Sequence, residues 1–215
     1  MDAQPTIELD GGLAIPQLGL GVFQLLPGEA TRRAVAAALD VGYRHVDTAA
    51  GYRNESDVGA AIRASGLEPG SVWVTTKLAN ADQGATTARR AFEASLERLG
   101  LDGIDLYLLH WPHERRLESW RVLEQLHTEG LARSIGVSNF LVRHLDELLV
   151  HASVPPSVNQ IELSPFLYRS RADTLRRCEE AGIAVEAYSP LTKARRLSDP
   201  TLGRIAAEVG RSPAG

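Results

Sequence analysis

The sequence predicts an α/β fold in which parallel strands alternate with helices. Seven times along the chain, a short apolar run precedes an amphipathic segment whose apolar residues recur at helical spacing. Parallel neighbours in a sheet need a crossover connection, usually a helix, so this alternation favours one parallel sheet. An open dinucleotide-binding sheet would carry GxGxxG after its first strand, whereas GLG at 19–21 is followed by VFQ. We therefore expect a barrel of the TIM (β/α)8 type.

The expected elements follow one another in a simple order. Residues 6–18 carry two apolar stretches around a DGG turn, which predicts an N-terminal β-hairpin. The expected barrel strands are 19–23, 43–48, 72–78, 104–110, 132–138, 157–163 and 183–189. The expected helices are 29–41, 55–65, 86–99, 117–129, 141–150, 170–181 and 200–209.

The chain length is short for this fold. A TIM barrel needs eight strands in typically about 250 residues, whereas these 215 residues hold the hairpin and seven units. We expect a single barrel domain over 1–215 that is incomplete at its C-terminal end, since no long Pro- or Gly-rich linker divides the chain.

Charge and composition limit the kinds of partner that the protein is expected to bind. A net charge of -4, from 27 acidic and 23 basic residues, gives no large field to attract nucleic acid or an anionic membrane. Residues 1–17 lack the pattern of a secretory signal, and no apolar run approaches the ~18 residues of a membrane span. Cys178 is the only cysteine, which excludes an internal disulfide and a cysteine-based metal cluster. We expect a cytoplasmic monomer or weak oligomer that binds a small molecule, with no metal.

Polar side chains stand where three successive barrel strands are expected to end. Asp47 closes the second strand and Tyr52 lies in the loop that follows it. Lys77 closes the third strand and His110 closes the fourth. Active sites of TIM barrels are built at the carboxyl ends of the strands, so we expect these four side chains to share one site.

These four residue types suit the reduction of a carbonyl group. Hydride addition to the carbon creates an alkoxide, so an acid must deliver a proton to the oxygen. Tyr52 can be that acid, and the ammonium of Lys77 would lower the Tyr52 pKa by favouring the phenolate. Asp47 would hold Lys77 in place and charged, while a neutral His110 could orient the carbonyl by a hydrogen bond.

Six ordered motifs resemble those of one enzyme family. They are GYRHVDTAAGYRNESDVG from 42, VTTKL from 74, LDGIDLYLLHWP from 101, IGVSNF from 135, VNQIELSPF from 158 and AYSPL from 187. In this order they resemble the aldo-keto reductase superfamily, and most of all its bacterial 2,5-diketo-D-gluconate reductase type. The resemblance runs from about residue 5 to about residue 213.

The resemblance implies NADPH-dependent reduction of aldehydes or ketones, keto sugars included, with NADH as the alternative cofactor. It implies that Tyr52 is the proton donor, that Lys77 and Asp47 adjust the pKa of Tyr52, and that His110 orients the substrate. It also implies a cofactor set in which Asp47 takes part, Ser138, Asn139 and Gln160 bind the nicotinamide carboxamide, Tyr188 stacks on the ring, and Ser189, Pro190 and Leu191 lie near the pyrophosphate. Phe23 and Trp111, both at strand ends, are expected to form an apolar wall of the substrate pocket with Tyr52 and His110.

The chain departs from the family pattern in three places. Relatives continue through an eighth strand and a basic KSxxxxR-type motif that contacts the adenosine 2'-phosphate, and the resemblance therefore implies weaker selection of NADPH over NADH. Ala79 stands where many relatives carry tryptophan, and the passage after His110 is short. The sequence therefore does not predict the natural substrate.

Two other functions stay open beside reductase chemistry. One is a noncatalytic reductase-like binding protein, against which the intact set of Asp47, Tyr52, Lys77 and His110 argues. The other is a truncated, inactive barrel, which the absent last unit favours. His45, inside a strand, is expected to be structural. Residues 193–196 are expected to be solvated, with phosphate contact as the alternative.

Overall fold

A computed structural model describes residues 4–214 and contains every predicted element. Its strands are β1 (Thr6–Leu9), β2 (Leu13–Pro16), β3 (Leu20–Gly21), β4 (His45–Asp47), β5 (Trp73–Leu78), β6 (Ile104–Leu109), β7 (Ala132–Ser138), β8 (Val158–Glu162) and β9 (Ala184–Tyr188). Its helices are α1 (Glu29–Asp40), α2 (Glu55–Ala64), α3 (Thr87–Leu99), α4 (Arg116–Thr128), α5 (Val142–His151), α6 (Tyr168–Glu180) and α7 (Pro200–Glu208). The bounds differ from the predicted ones by at most two residues at either end, and β3 is only two residues long.

The seven strands β3 to β9 form one parallel sheet in chain order. Each strand is joined to the next by a helix, and the sheet curls into a near-closed barrel. Within the described residues, β3 and β9 are the two edges of this sheet. The prediction of a TIM-type barrel with seven βα units is confirmed.

The N-terminal hairpin closes the amino-terminal end of the barrel. β1 pairs antiparallel with β2 across a short helical turn over Asp10–Gly12, as the DGG segment predicts. Leu9 and Ile15 of the hairpin are buried in a cluster with Trp73, Leu106 and Leu108 of the barrel strands. The hairpin therefore fills one end of the barrel and leaves the opposite end, where the strands terminate, for the polar residues.

A second apolar layer lies between the strands and the surrounding helices. Its fully buried members include Val35, Val58, Phe92, Leu123, Leu145 and Cys178. Two helices approach closely at Gly59, where an added Cβ would lie 1.9 Å from the carbonyl oxygen of Leu99. Packing of this density holds the strands in fixed register and so fixes the positions of the side chains at their ends.

Across residues 4–214, no helix combines the length and the apolar composition that a membrane crossing needs.

Candidate active site

The predicted strand-end residues converge on one cavity at the carboxyl end of the barrel. Asp47 ends β4, Lys77 lies in β5 one residue before its end, and His110 directly follows β6. The cavity measures about 550 Å³ and is lined by Gly21, Phe23, Gln24, Asp47, Gly51, Tyr52, His110, Trp111, Ser138, Asn139, Gln160, Tyr188, Ser189 and Lys193. A volume of this size suits a small-molecule site.

Lys77, which does not line the cavity, forms a buried ion pair with Asp47, which does. The Lys77 ammonium donates to both carboxylate oxygens of Asp47 at 2.6 Å and to the carbonyl oxygen of Thr48 at 3.0 Å. The exposed fraction of the Lys77 side chain is 1%, and that of Asp47 is 13%. All three ammonium protons have acceptors, so the charge is held in place although it is withdrawn from water.

Tyr52 is held beside this pair by a short helical turn over Ala50–Tyr52. The turn ends at Arg53, whose left-handed backbone has a φ of 60°. The buried side chain of Asn54 accepts from the Thr48 hydroxyl at 2.8 Å and donates to the Val22 carbonyl at 3.1 Å, which ties the turn to the loop after β3. Sequence reasoning missed Asn54, because nothing in its local pattern shows that it spans two loops.

The electrostatic setting of Tyr52 differs from the expected one. Lys77 Nζ lies 5.4 Å from the centre of the Tyr52 ring. Burial nevertheless raises the pKa of the Tyr52 phenol above its ordinary value, and the negative charges of Asp47 and Glu186 raise it further. The expectation that Lys77 lowers the Tyr52 pKa is therefore wrong for this structure, since burial, the largest influence, and the charges of Asp47 and Glu186 all raise it.

His110 packs its ring edge to face against Tyr52, with ring centres 5.6 Å apart and an angle of 74°. Burial, together with the nearby charge of Lys77, lowers the pKa of His110 to about 4. The imidazole is therefore neutral at physiological pH, as the sequence analysis expected, and one of its nitrogens carries a hydrogen that can be donated.

A network of hydrogen-bonding side chains lines the cavity beside Asp47 and His110. Tyr188 donates its hydroxyl to Asn139 Oδ1 at 2.9 Å, and Asn139 Nδ2 donates to Ser138 Oγ at 3.0 Å. Asn139 adopts a left-handed φ of 64°, which asparagine tolerates better than most residues. Gln160 donates both amide hydrogens, at 2.8 Å each, to Asp47 Oδ2 and Glu186 Oε1. Within the described residues, no hydrogen bond engages the Gln160 amide oxygen, so it can accept one from a ligand.

The predicted pyrophosphate segment follows β9 directly. Ser189 lines the main cavity, and Pro190 lines a neighbouring cleft of about 500 Å³. Leu191 is 46% exposed and lines neither cavity. Lys193, for which phosphate contact was the alternative, donates to Gln24 Oε1 at 3.2 Å across the cavity mouth. This contact places Lys193 at the entrance together with Gln24, which the sequence analysis did not select.

The two predicted aromatic wall residues both line the cavity. Phe23 packs against Tyr52 with ring centres 5.0 Å apart, and it is 55% exposed. Trp111 is 47% exposed, directly after His110. Apolar rings that are half open to solvent at a cavity mouth are available for contact with a ligand.

His45 lies outside this group of side chains. It is buried, its Nε2 is 3.0 Å from the Thr75 hydroxyl, and an added Cβ at Gly19 would lie 2.6 Å from its Nδ1. These contacts agree with the expected structural role.

The family relationship of the chain is visible over nearly its whole length. A model of the family described as "Aldo/keto reductase family" matches residues 17–203. An aldo-keto reductase of Mycolicibacterium smegmatis is 46% identical over 213 residues, which are 98% of this chain and 76% of that protein. A glyoxal reductase of Bacillus subtilis is 44% identical over 210 residues, which are 97% of this chain and 75% of that protein.

Solved structures show the same relationship in three dimensions. An aldo/keto reductase from Brucella melitensis superposes with a TM-score of 0.91 at 44% identity, covering 99% of this chain and 82% of its own. A Bombyx mori aldo-keto reductase in complex with NADP superposes with a TM-score of 0.86 at 34% identity, covering 99% of this chain and 78% of its own.

Proposed function

The chain belongs to the aldo/keto reductase family, and we propose that it reduces aldehydes or ketones to alcohols with NADPH, or with NADH in its place. The observation that carries the proposal is one cavity lined by two dissimilar groups of side chains. The first group is Asp47, Tyr52 and His110, and the second is Asn139, Gln160 and Tyr188. Gln160 donates to Asp47 and Asn139 donates to the His110 carbonyl, so the two groups adjoin. The first group suits proton delivery to a carbonyl oxygen, and the second suits a planar ligand bearing an amide.

Tyr52 is the proton donor in this proposal. Its raised pKa keeps the phenol protonated across the physiological range, so the group is ready to donate. The alkoxide that forms during reduction is a stronger base than a phenolate, so proton transfer from a phenol to it is favourable. Neutral His110, whose ring packs against Tyr52, donates a hydrogen bond that turns the carbonyl oxygen toward the phenol.

Lys77 and Asp47 support this donor as a buried ion pair. A buried ammonium 5.4 Å from the Tyr52 ring centre stabilises negative charge as it develops on the phenol oxygen. Asp47 fixes the Lys77 position through its two hydrogen bonds. The pair thereby aids proton release in the transition state, while burial and the charge of Asp47 raise the pKa of the resting phenol.

The donor and acceptor chemistry of the second group of side chains fits a nicotinamide. The free amide oxygen of Gln160 can accept from the carboxamide, and the polar atoms of Ser138 and Asn139 lie beside it at the ends of β7 and its loop. The Tyr188 ring lines the same cavity and can stack on a planar heterocycle. When bound there, the reduced nicotinamide supplies the hydride for the carbonyl carbon.

The substrate is proposed to be a small aldehyde or α-dicarbonyl compound. Phe23 and Trp111 supply apolar contact beside the proposed donor, and Gln24 and Lys193 supply polar contact at the mouth. The glyoxal reductase of Bacillus subtilis, a relative at 44% identity, supports testing this class of substrate before larger ketones.

Titration with NADPH and with NADH, followed by tryptophan fluorescence, tests the cofactor part of this proposal. Trp111 lines the cavity, whereas Trp73 and Trp120 are buried elsewhere, so Trp111 reports on occupancy. We expect saturable quenching that a Trp111→Phe variant loses and a Tyr188→Ala variant weakens. Absence of quenching by a chain that circular dichroism shows to be folded would contradict reductase function and favour a noncatalytic barrel.

A further inference from the structure

The barrel contains a further carboxyl, that of the partly buried Glu186, which the proposed reaction does not use. Glu186 lies in β9 two residues before Tyr188, so the two side chains share the inward face of the strand. The Gln160 amide nitrogen is 2.8 Å from Glu186 Oε1 and 2.8 Å from Asp47 Oδ2. One neutral amide therefore bridges Glu186 to the carboxylate that holds Lys77.

Glu186 has few partners for a negative charge. Its Oε2 atom is buried and has no hydrogen-bond partner within the described part of the chain. A buried carboxylate with one accepted hydrogen bond is poorly stabilised, so this arrangement favours the protonated form.

The charged groups that face Glu186 have opposite effects on its ionisation. Asp47 from β4 opposes its ionisation, and Lys77 from β5 favours it, as does the Gln160 hydrogen bond from β8. His45 of β4 also lines the adjoining cleft, and burial lowers its pKa below the ordinary value. The segment through β3 contributes glycines at 19 and 21 and no charged side chain to that cleft. Burial is the largest influence, and together these groups raise the pKa of Glu186 to about 7.

Ionisation of Glu186 changes the pKa of Tyr52, the proposed proton donor. The negative charge of Glu186 is one of the causes that raise the pKa of Tyr52. Protonation of Glu186 removes that charge, leaves Lys77 less compensated and makes Tyr52 a stronger acid.

We propose that Glu186 is a positioning residue for proton delivery, which exchanges a proton at neutral pH and sets through Gln160 and Asp47 how readily Tyr52 donates. This inference rests on the proposed function, in which Tyr52 is the donor. Reduction is fastest when Glu186 is protonated and slows as Glu186 ionises. A purely structural Glu186 would give no such dependence.

The pH profile of kcat for aldehyde reduction by NADPH tests the inference. From about pH 5 to about pH 9, we expect kcat of the wild-type chain to fall roughly threefold, with a midpoint near the Glu186 pKa. Glu186→Gln keeps an oxygen that can accept from Gln160 but cannot ionise, so we expect its kcat to stay at the acid-side value. Glu179→Gln, the same change at an exposed position on α6, is the matched control and should keep the wild-type profile.

A second measurement does not depend on activity. In infrared difference spectra between acidic and alkaline samples of the chain alone, the protonated carboxyl of Glu186 should give a carbonyl band that is lost near neutral pH. Glu186→Gln should lack this band and Glu179→Gln should keep it. Glu186→Asp, which retains a carboxyl, should keep a titrating band with a shifted midpoint.

The failures of the two proposals are distinguishable. A wild-type chain that turns over NADPH and loses activity in Tyr52→Phe, but whose pH profile is unchanged in Glu186→Gln, would overturn the role of Glu186 alone. Absence of the infrared band would overturn it as well. A folded wild-type chain without NADPH turnover would overturn the proposed function and this inference with it.

Discussion

The ammonium of Lys77 donates to both carboxylate oxygens of Asp47 at 2.6 Å, in a position where only 1% of the Lys77 side chain is exposed. Breaking such a pair by removing one partner leaves a buried charge without compensation. The pair therefore matters for stability as well as for the proposed chemistry.

Asp47→Asn should lower the free energy of unfolding by about 3 kcal/mol, because the buried Lys77 ammonium loses its counter-charge. Urea denaturation measures this change, provided that the denaturant slope stays constant. The double variant Asp47→Asn/Lys77→Met is the control and should recover part of the loss, because it removes the uncompensated charge too. An Asp47→Asn chain of wild-type stability would contradict the buried-pair geometry.

His110 should remain neutral well below neutral pH, because burial lowers its pKa to about 4. Its ring resonances in an NMR titration, assigned by their loss in His110→Asn, should not shift from about pH 9 to about pH 5. In the unfolded chain the ring binds a proton at its ordinary pKa, so the folded state should lose stability relative to His110→Asn as the pH falls from about 6.5 toward 4. A titration midpoint near 6.5 in the folded chain would contradict the burial of this ring.

Gly59→Ala should destabilise the chain by more than about 2 kcal/mol, because the new Cβ would lie 1.9 Å from the Leu99 carbonyl oxygen and force α2 away from the end of α3. Gly203→Ala is the matched control, since a Cβ at that helical position meets no atom within 4 Å. It should stabilise the chain by up to about 1 kcal/mol through the helix propensity of alanine. Thermal unfolding measures whether Gly59→Ala lowers the stability and Gly203→Ala raises it. Equal changes in stability would contradict the close contact between the two helices.

The order and type of the elements could be predicted because each carries a local periodic signal. The apolar runs and amphipathic segments are set by burial on both faces of a parallel strand and on one face of a helix. The short β3 was less predictable, because its two residues are defined by pairing with Val46 and Asp47 rather than by any pattern of their own.

The sequence was enough to predict which residues form the candidate site, but not the direction in which their pKa values are shifted. Strand-end position alone led to Asp47, Lys77 and His110, since parallel strands bring those ends together. The direction of the Tyr52 pKa shift depends on the burial of the ring and on its distances to Asp47 and Glu186, which no sequence pattern contains. Glu186 was missed for a similar reason: its relation to Gln160 appears only when β8 and β9 pair in register.

Contacts between loops that are distant in sequence could not be predicted either. Lys193 and Gln24 are 169 residues apart and meet at the cavity mouth, where each reads in sequence as an ordinary solvated side chain.

Parallel assays of the wild-type chain and Tyr52→Phe test the proposed chemistry most directly. Each is given NADPH and a small aldehyde, and NADPH oxidation is followed by its absorbance, with fluorescence titration confirming cofactor binding. We expect the wild-type chain to oxidise NADPH only with the aldehyde present, and Tyr52→Phe to bind NADPH normally but to react at least about 100-fold more slowly, since only the proton donor is removed. Equal rates in the two chains, with cofactor bound in both, would contradict the assignment of Tyr52 as the proton donor.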